Sequence, residues 1–217
     1  MRGMMRRAYR GAMLVGVLTL TAATPPTPAT HRPARTETAV FAGGCFWGIQ
    51  AVFQHIKGVV SATSGYAGGT VEHPSYEQVS SGTTGHAESV RVVFDPDQVA
   101  YGTLLRVFFS VAHDPTELNR QGPDVGTQYR SEIFYTTQDQ EDMAEAYIAQ
   151  LRMAHLHKNP VVTKVAPLKA FYPAEAYHQN YAELHPDDPY IVINDAPKVA
   201  NLKKIFPELY TDKLAAH

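Results

Sequence analysis

Cysteine occurs once in the 217 residues, at Cys45, and this single thiol constrains the fold more than any other feature. No intrachain disulfide can form, so a disulfide-stapled scaffold is excluded and a hydrophobic core must hold the chain together. Hydrophobic residues make up 44% of the sequence and charged residues 18%, which suits one sizeable core and is short for two. What remains for Cys45 is a reactive thiol, an intermolecular partner or an inert buried side chain, and the count alone favours the inert reading.

The N-terminal stretch does not read as fold. Arg2, Arg6, Arg7 and Arg10 come without an acid, an apolar run follows from Ala12 to Leu20, and Thr21-Ala22-Ala23 close it with small residues. That pattern makes residues 1–23 a secretory signal peptide, with Arg6-Arg7 a loose match to a twin-arginine export signal. The apolar run falls short of the roughly 20 residues that a membrane span needs. Residues 24–38 are Pro/Thr-rich, with Pro25, Pro26, Pro28 and Pro33, and read as a linker with too few apolar residues to pack. The expectation is an exported, periplasmic protein whose folded domain covers residues 39–217. It is expected to be a monomer without stable membrane association once the signal is cleaved.

Within the domain, Thr38–Ala42 reads as a short buried strand, broken by Gly43-Gly44. From Cys45 onward Phe46, Ile49, Phe53 and Ile56 share one helical face, with Gly58 as the stop. The segment from Gly58 to Gly85 reads as loops with a strand near Val59–Ser64. Glu88–Phe94 alternates as a strand, with Val90, Val92 and Phe94 on one side. Further helices are expected from Leu104 to Ala112, from Asp139 to His155 on the face of Met143, Tyr147 and Leu151, from Ala174 to Leu184 and from Val199 to Ile205. Ser131–Thr136 and Val161–Val165 read as strands, and Asn119–Gln128 as a loop. The irregular interleaving of strands and helices indicates an α+β class, a two-layer α/β sandwich on a mixed, mostly antiparallel central sheet.

Cys45 thus sits where a strand, two glycines and a helix meet. A helix N-terminus lowers a thiol's pKa, so the position suggests a nucleophile. Phe46 and Trp47, the only tryptophan, offer an apolar contact for a small substrate group, although plain packing is the alternative. Glu88 stands at the mouth of a strand after Gly85-His86-Ala87, Tyr76 and Tyr129 carry phenolic donors, and Asp114 and Asp124 are further loop acids. The ten histidines show no H-E-x-x-H or Cys/His cluster, so no metal is expected. His113 and His178 leave a Cys–His hydrolase open. A net charge of −2 offers no basic face to nucleic acid.

The strings themselves carry a resemblance. Gly43-Gly44-Cys45-Phe46-Trp47-Gly48 is similar to the signature of the peptide-methionine (S)-S-oxide reductases, the methionine sulfoxide reductase A family. Ser64-Gly65-Tyr66-Ala67-Gly68-Gly69, Pro74-Ser75-Tyr76-Glu77-Gln78-Val79, Ser81-Gly82-Thr83-Thr84-Gly85-His86-Ala87-Glu88, Gly126-Thr127-Gln128-Tyr129-Arg130-Ser131 and the run from Phe171 to Tyr181 follow in the family's order. The resemblance runs from about Ala39 to about Tyr210. It implies that Cys45 attacks the sulfoxide sulfur and that Glu88, as a neutral acid, protonates the oxygen. It implies that Tyr76 and Tyr129 hold that oxygen, that Phe46 and Trp47 receive the substrate methyl, and that Asp124 supports the site. Methionine S-sulfoxide, free or in oxidised proteins, is the implied substrate, with no bound cofactor.

The chain departs from many relatives by carrying Ser80 where they place a further cysteine, and by having no cysteine between Asn201 and His217. An intramolecular disulfide step is therefore impossible. The sulfenic acid on Cys45 must be reduced by an external thiol, whether thioredoxin, glutaredoxin or a small thiol. A thiol redox sensor and a Cys–His hydrolase stand as the competing readings. Cys45→Ser disables the hydrolase and the reductase alike, whereas Glu88→Gln slows only the reductase.

Overall fold

The computed structural model describes residues 35–217, so the signal read at residues 1–23 and most of the linker read at residues 24–38 lie outside the described residues. The first strand, β1 (Glu37–Gly43), begins inside that linker range, because Glu37 and Thr38 already pair with Phe94 and Val93. It leads into α1 (Phe46–Gln54), β2 (Val59–Ala67), α2 (Tyr76–Ser80), β3 (Ala87–Phe94) and α3 (Tyr101–Val107), which runs on into a π turn at Phe108–Ala112. A two-residue hairpin, β4 (Arg120–Gln121) with β5 (Asp124–Val125), precedes a 3-10 turn at Thr127–Tyr129 and β6 (Ser131–Tyr135). Then come α4 (Gln138–Ala154), β7 (Lys164–Pro167), β8 (Phe171–Pro173), a 3-10 turn at Ala176–His178, α5 (Tyr181–Leu184), a π turn at Ile191–Asp195 and α6 (Ala196–Ile205).

Six strands form one sheet in the order β7-β6-β1-β3-β2-β8, antiparallel throughout except for β6 beside β7. This is the mixed, mostly antiparallel sheet that the sequence implies. β1 lies inside the sheet, with Phe41 opposite Val90 on one side and Ile133 on the other. Both its edges and both its faces are covered, so Ala39 to Ala42 are uniformly apolar rather than alternating. Phe41, Val90, Val92, Phe94 and Ile133 face α1, α3, α4 and α6 in the main core. Phe41 stacks on Phe53 of α1 at 5.0 Å and on Phe108 at 4.9 Å. Val40, Ala42, Ala67, Ala87 and Phe134 form a smaller cluster on the opposite face. Each large apolar side chain so buried stabilises the fold by roughly 1.5–3 kcal/mol.

Several local expectations are corrected. α1 ends at Gln54, four residues before Gly58, with His55 as its C-cap. α4 buries Gln140, Ala144 and Ile148 and packs Tyr147 and Leu151 on the core as read, while Met143 is exposed; the core-facing stripe is turned toward Gln140, which reaches back to the Thr38 carbonyl at 2.8 Å. The strand read at Val161–Val165 lies at β7, three residues later. The helix read from Ala174 to Leu184 is broken at Asn180, whose φ is +56° and whose N–H donates to Gln50 Oε1 at 2.9 Å. α2 lay hidden in the Gly/Ser-rich segment, although Ser75 and Gln78 make a reciprocal capping box. β8 is three residues long, too short for periodicity to reveal. It approaches β2 at Gly65, where a Cβ would lie 2.4 Å from the Phe171 ring.

Candidate active site

The turn from β1 into α1 is made by two glycines that tolerate no side chain. At Gly44 φ is +102°, and a Cβ would lie 2.5 Å from Gln121 Cγ. At Gly43 a Cβ would meet the His113 ring at 2.8 Å. The hairpin carrying Gln121 therefore packs directly on the turn, held by paired hydrogen bonds between the Gln121 amide and the backbone of Asp114. Cys45 follows as the N-cap residue of α1, buried at 7% exposure.

Glu88 reaches this turn because strand periodicity puts it on the same face as Val90 and Val92, one pair nearer the β3 start. It is 2% exposed, and Oε2 accepts the Phe46 backbone N–H at 3.1 Å. A helix N-terminus favours a carboxylate by about 1 kcal/mol, and the Phe46 N–H acts in that direction here. Burial outweighs it: with Asp124 and Asp195 adding repulsion, the Glu88 carboxyl is pushed up to about 8. Cys45 behaves likewise. Burial first, then the fields of Glu88 and Asp195, raise its thiol well above the ordinary value, while the Trp47 N–H and Lys198 pull weakly the other way. This corrects the expectation that the helix terminus lowers the thiol. At neutral pH both groups keep their protons.

Tyr76 and Tyr129 stand around this acid. Both phenols are raised by burial and, next, by Glu88. Tyr76 opens α2, and its N–H donates to Glu175 Oε1 at 2.9 Å, while Tyr66 donates its hydroxyl to Glu175 Oε2 at 2.8 Å. Tyr129 ends the 3-10 turn that follows the hairpin. Asp124 lies on that hairpin and accepts the Tyr190 hydroxyl at 2.5 Å.

The two aromatics after Cys45 do different things. Phe46 is 1% exposed and packs on Tyr66 at 6.0 Å and His178 at 5.1 Å, a backing layer to the site. Trp47 is half-buried, with its face on Tyr181 at 3.8 Å and the Tyr190 ring edge-on at 5.9 Å. Its indole N–H donates to His178 Nδ1 at 3.2 Å. Trp47, Tyr181 and Tyr190 form an aromatic wall in which Trp47 is clamped from two sides.

All seven expected site residues thus gather around the first turn of α1. Sequence reasoning gave no role to Tyr181, Tyr190, Glu175 or Asp195. Only the string from Phe171 to Tyr181 signalled the first and third; nothing local marks Tyr190 or Asp195. His178, weighed as a base, does reach the site, but its Nδ1 accepts the Trp47 indole N–H. His113 does not serve as a base: Nδ1 faces the Phe108 carbonyl at 2.9 Å and Nε2 the Ser131 hydroxyl at 2.7 Å. Burial also holds its imidazole down at about 4. Asp114 turns away to cap Thr116.

Known proteins agree with this architecture. The chain matches a curated protein of Mesorhizobium japonicum, named peptide methionine sulfoxide reductase MsrA 2, with 59% identity over 82% of this chain and 91% of that one. A protein of the same name from Synechocystis is 51% identical over 83% of each chain. Among solved structures, the methionine sulfoxide reductase A of Corynebacterium diphtheriae superposes with a TM-score of 0.61 at 38% identity, covering 72% of this chain and 77% of that one. Mxr1 of Saccharomyces cerevisiae in reduced form gives 0.65 at 32% identity, covering 73% and 90%. A profile described as Peptide methionine sulfoxide reductase matches residues 37–210. With that match spanning nearly all the described residues, and with relatives this similar, the chain belongs to the peptide methionine sulfoxide reductase family.

Proposed function

We propose that the chain reduces methionine S-sulfoxide, free or in oxidised proteins, to methionine, with Cys45 as nucleophile and Glu88 as acid. The observation that carries the assignment of roles is a neutral, buried carboxyl beside the only thiol. Sulfoxide sulfur resists attack until its oxygen is protonated. A carboxyl held up to about 8 keeps that proton at neutral pH. The Phe46 N–H occupies Oε2, which leaves Oε1 to carry it. Tyr76 and Tyr129 supply further donors to the oxygen, and Trp47, held between Tyr181 and Tyr190, borders the space for the substrate methyl, with Phe46 behind it.

The step balances as follows. A bond forms between Cys45 Sγ and the sulfoxide sulfur as the thiol proton and the Glu88 proton move to the oxygen. The oxygen then passes to Cys45 as a sulfenic acid, Glu88 regains its proton, and methionine leaves. Regeneration consumes two external thiols, yielding water and their disulfide, since no second cysteine exists. A thioredoxin-like or glutaredoxin-like protein, or a small thiol, serves. The basic N-terminus and apolar run of residues 1–23 support export, and hence a periplasmic site of protein repair with a reductant found there.

The test uses each epimer of methionine sulfoxide with dithiothreitol as donor. The S epimer is expected to be reduced repeatedly, and one equivalent of methionine is expected per enzyme without any added thiol. No methionine in that single turnover overturns the scheme.

A further inference from the structure

A third acidic group lies against the same helical turn and has no part in the scheme above. Asp195, last residue of the π turn before α6, has no solvent exposure. Its Oδ1 lies against Gly48 so closely that a Cβ there would be 2.1 Å away. Gly48 is three residues after Cys45, hence one turn along the same face of α1. Oδ1 also accepts Lys198 Nζ at 3.0 Å, while Oδ2 is buried without a partner. Cys45, Glu88 and Asp195 therefore crowd residues 45–48, and Lys198 is the one cation paired there among the described residues.

We propose that Asp195 is a positioning residue for protons, a buried acid that, paired with Lys198, keeps Cys45 and Glu88 protonated until substrate oxygen arrives. Burial raises Asp195 itself above its ordinary value, and the Lys198 ammonium opposes that rise. The placement is unusual for a structural ion pair. A buried carboxylate normally uses both oxygens, and this one leaves Oδ2 without a partner while Oδ1 lies against the turn that Cys45 begins. The field runs the same way on both groups: Asp195 raises Cys45 and Glu88, while Lys198 lowers only Cys45 and more weakly. The other groups facing this region are Asp124 on β5, Tyr76 on α2, Tyr129 on its 3-10 turn and Tyr190 just before the π turn. Behind Asp195, a cavity of about 340 Å³ is bordered by His55, Glu183, Lys203 and Tyr210. None of these shares the contact with Gly48. The device makes sense because a thiolate formed early would be oxidised or trapped, whereas a thiol that ionises as Glu88 gives up its proton attacks only a bound sulfoxide. This part rests on the reductase reading; the electrostatic claim does not.

The experiment therefore measures Cys45 alkylation by iodoacetamide against pH, with no sulfoxide present, in the full chain. Asp195→Asn is expected to move the alkylation midpoint down by about one pH unit. The alkaline limb of single-turnover sulfoxide reduction is expected to move down with it. Asp195→Asn/Lys198→Met removes both charges, guards against misfolding from an unpaired buried ammonium, and is expected to give a smaller shift in the same direction. Unmoved midpoints in both variants, with only a lower melting temperature or a uniformly lower rate, overturn the proposal and make Asp195 a packing residue. A shifted alkylation midpoint in a protein that reduces no sulfoxide leaves the proposal standing and removes the reductase reading instead.

Discussion

The site has two walls, and they are built by different means. The inner wall is Cys45, Phe46 and Glu88, set by the end of β1, the start of α1 and the register of β3. It is dry, and its acid is neutral because burial beats the helix terminus. The outer wall is Trp47, Tyr181, Tyr190 and Asp124, drawn from α1, α5, the residue before the second π turn and the β4–β5 hairpin, elements far apart in the chain. It is half-exposed, and its acid is hydrogen-bonded by a tyrosine. Two carboxyls in one site are thus held in different environments. That contrast teaches where the chemistry sits: proton transfer needs the inner wall, and recognition needs the outer one.

Breaking the inner wall gives the largest effects. Cys45→Ser is expected to abolish methionine formation altogether. Glu88→Gln is expected to slow single-turnover reduction by about 10² to 10⁴-fold, the range of lost general acid catalysis. The same variant tests the dryness of the wall through stability. Folded Glu88 keeps its proton up to about 8, whereas the unfolded chain releases it near 4.5. The stabilisation from that proton is complete below 4.5 and is lost as pH rises towards 8. Glu88→Gln lacks this loss, so at pH 7 it is expected to be the more stable protein, by on the order of 3 kcal/mol. Denaturant unfolding at pH 4.5 and pH 7 checks it, the gap between the two proteins widening at the higher pH.

Perturbing the outer wall gives smaller and different effects. Trp47→Ala removes the face that Tyr181 and Tyr190 clamp, and is expected to raise KM by about tenfold or more, with less effect on kcat. Tyr190→Phe removes one hydrogen bond to Asp124, worth about 1.5–3 kcal/mol to a carboxylate acceptor. It is expected to raise KM several-fold and leave the pH profile in place. If Tyr190→Phe instead moved the alkaline limb, the two walls would not be separable.

The same division explains what could be read from the sequence. Strand alternation in Glu88–Phe94 and the Gly43-Gly44 break are local patterns, and they put Glu88 at the start of a strand and Cys45 at the start of a helix; only the family resemblance joined the two in one site. The sheet class followed from the irregular interleaving of strands and helices. The outer wall depends on Asn180 in a left-handed conformation and on Gln179 and Gln50 bonding across more than a hundred residues, which no local period announces. A helix through Ala174–Leu184 was therefore the natural but wrong reading. The thiol was misjudged for a related reason: helix position is visible in sequence, but the burial and the two nearby acids that overrule it are tertiary. Asp195 illustrates the limit, since its meaning comes only from Gly48, nearly one hundred and fifty residues earlier.

The central claim is that Glu88 is a neutral acid in the resting site. A carbon-13 NMR titration of glutamate side-chain carboxyls, with the Glu88 signal assigned by its loss in Glu88→Gln, tests it most directly. The account expects that signal to titrate with a midpoint near 8. A midpoint near the ordinary 4.5 would show a carboxylate at neutral pH and contradict the mechanism.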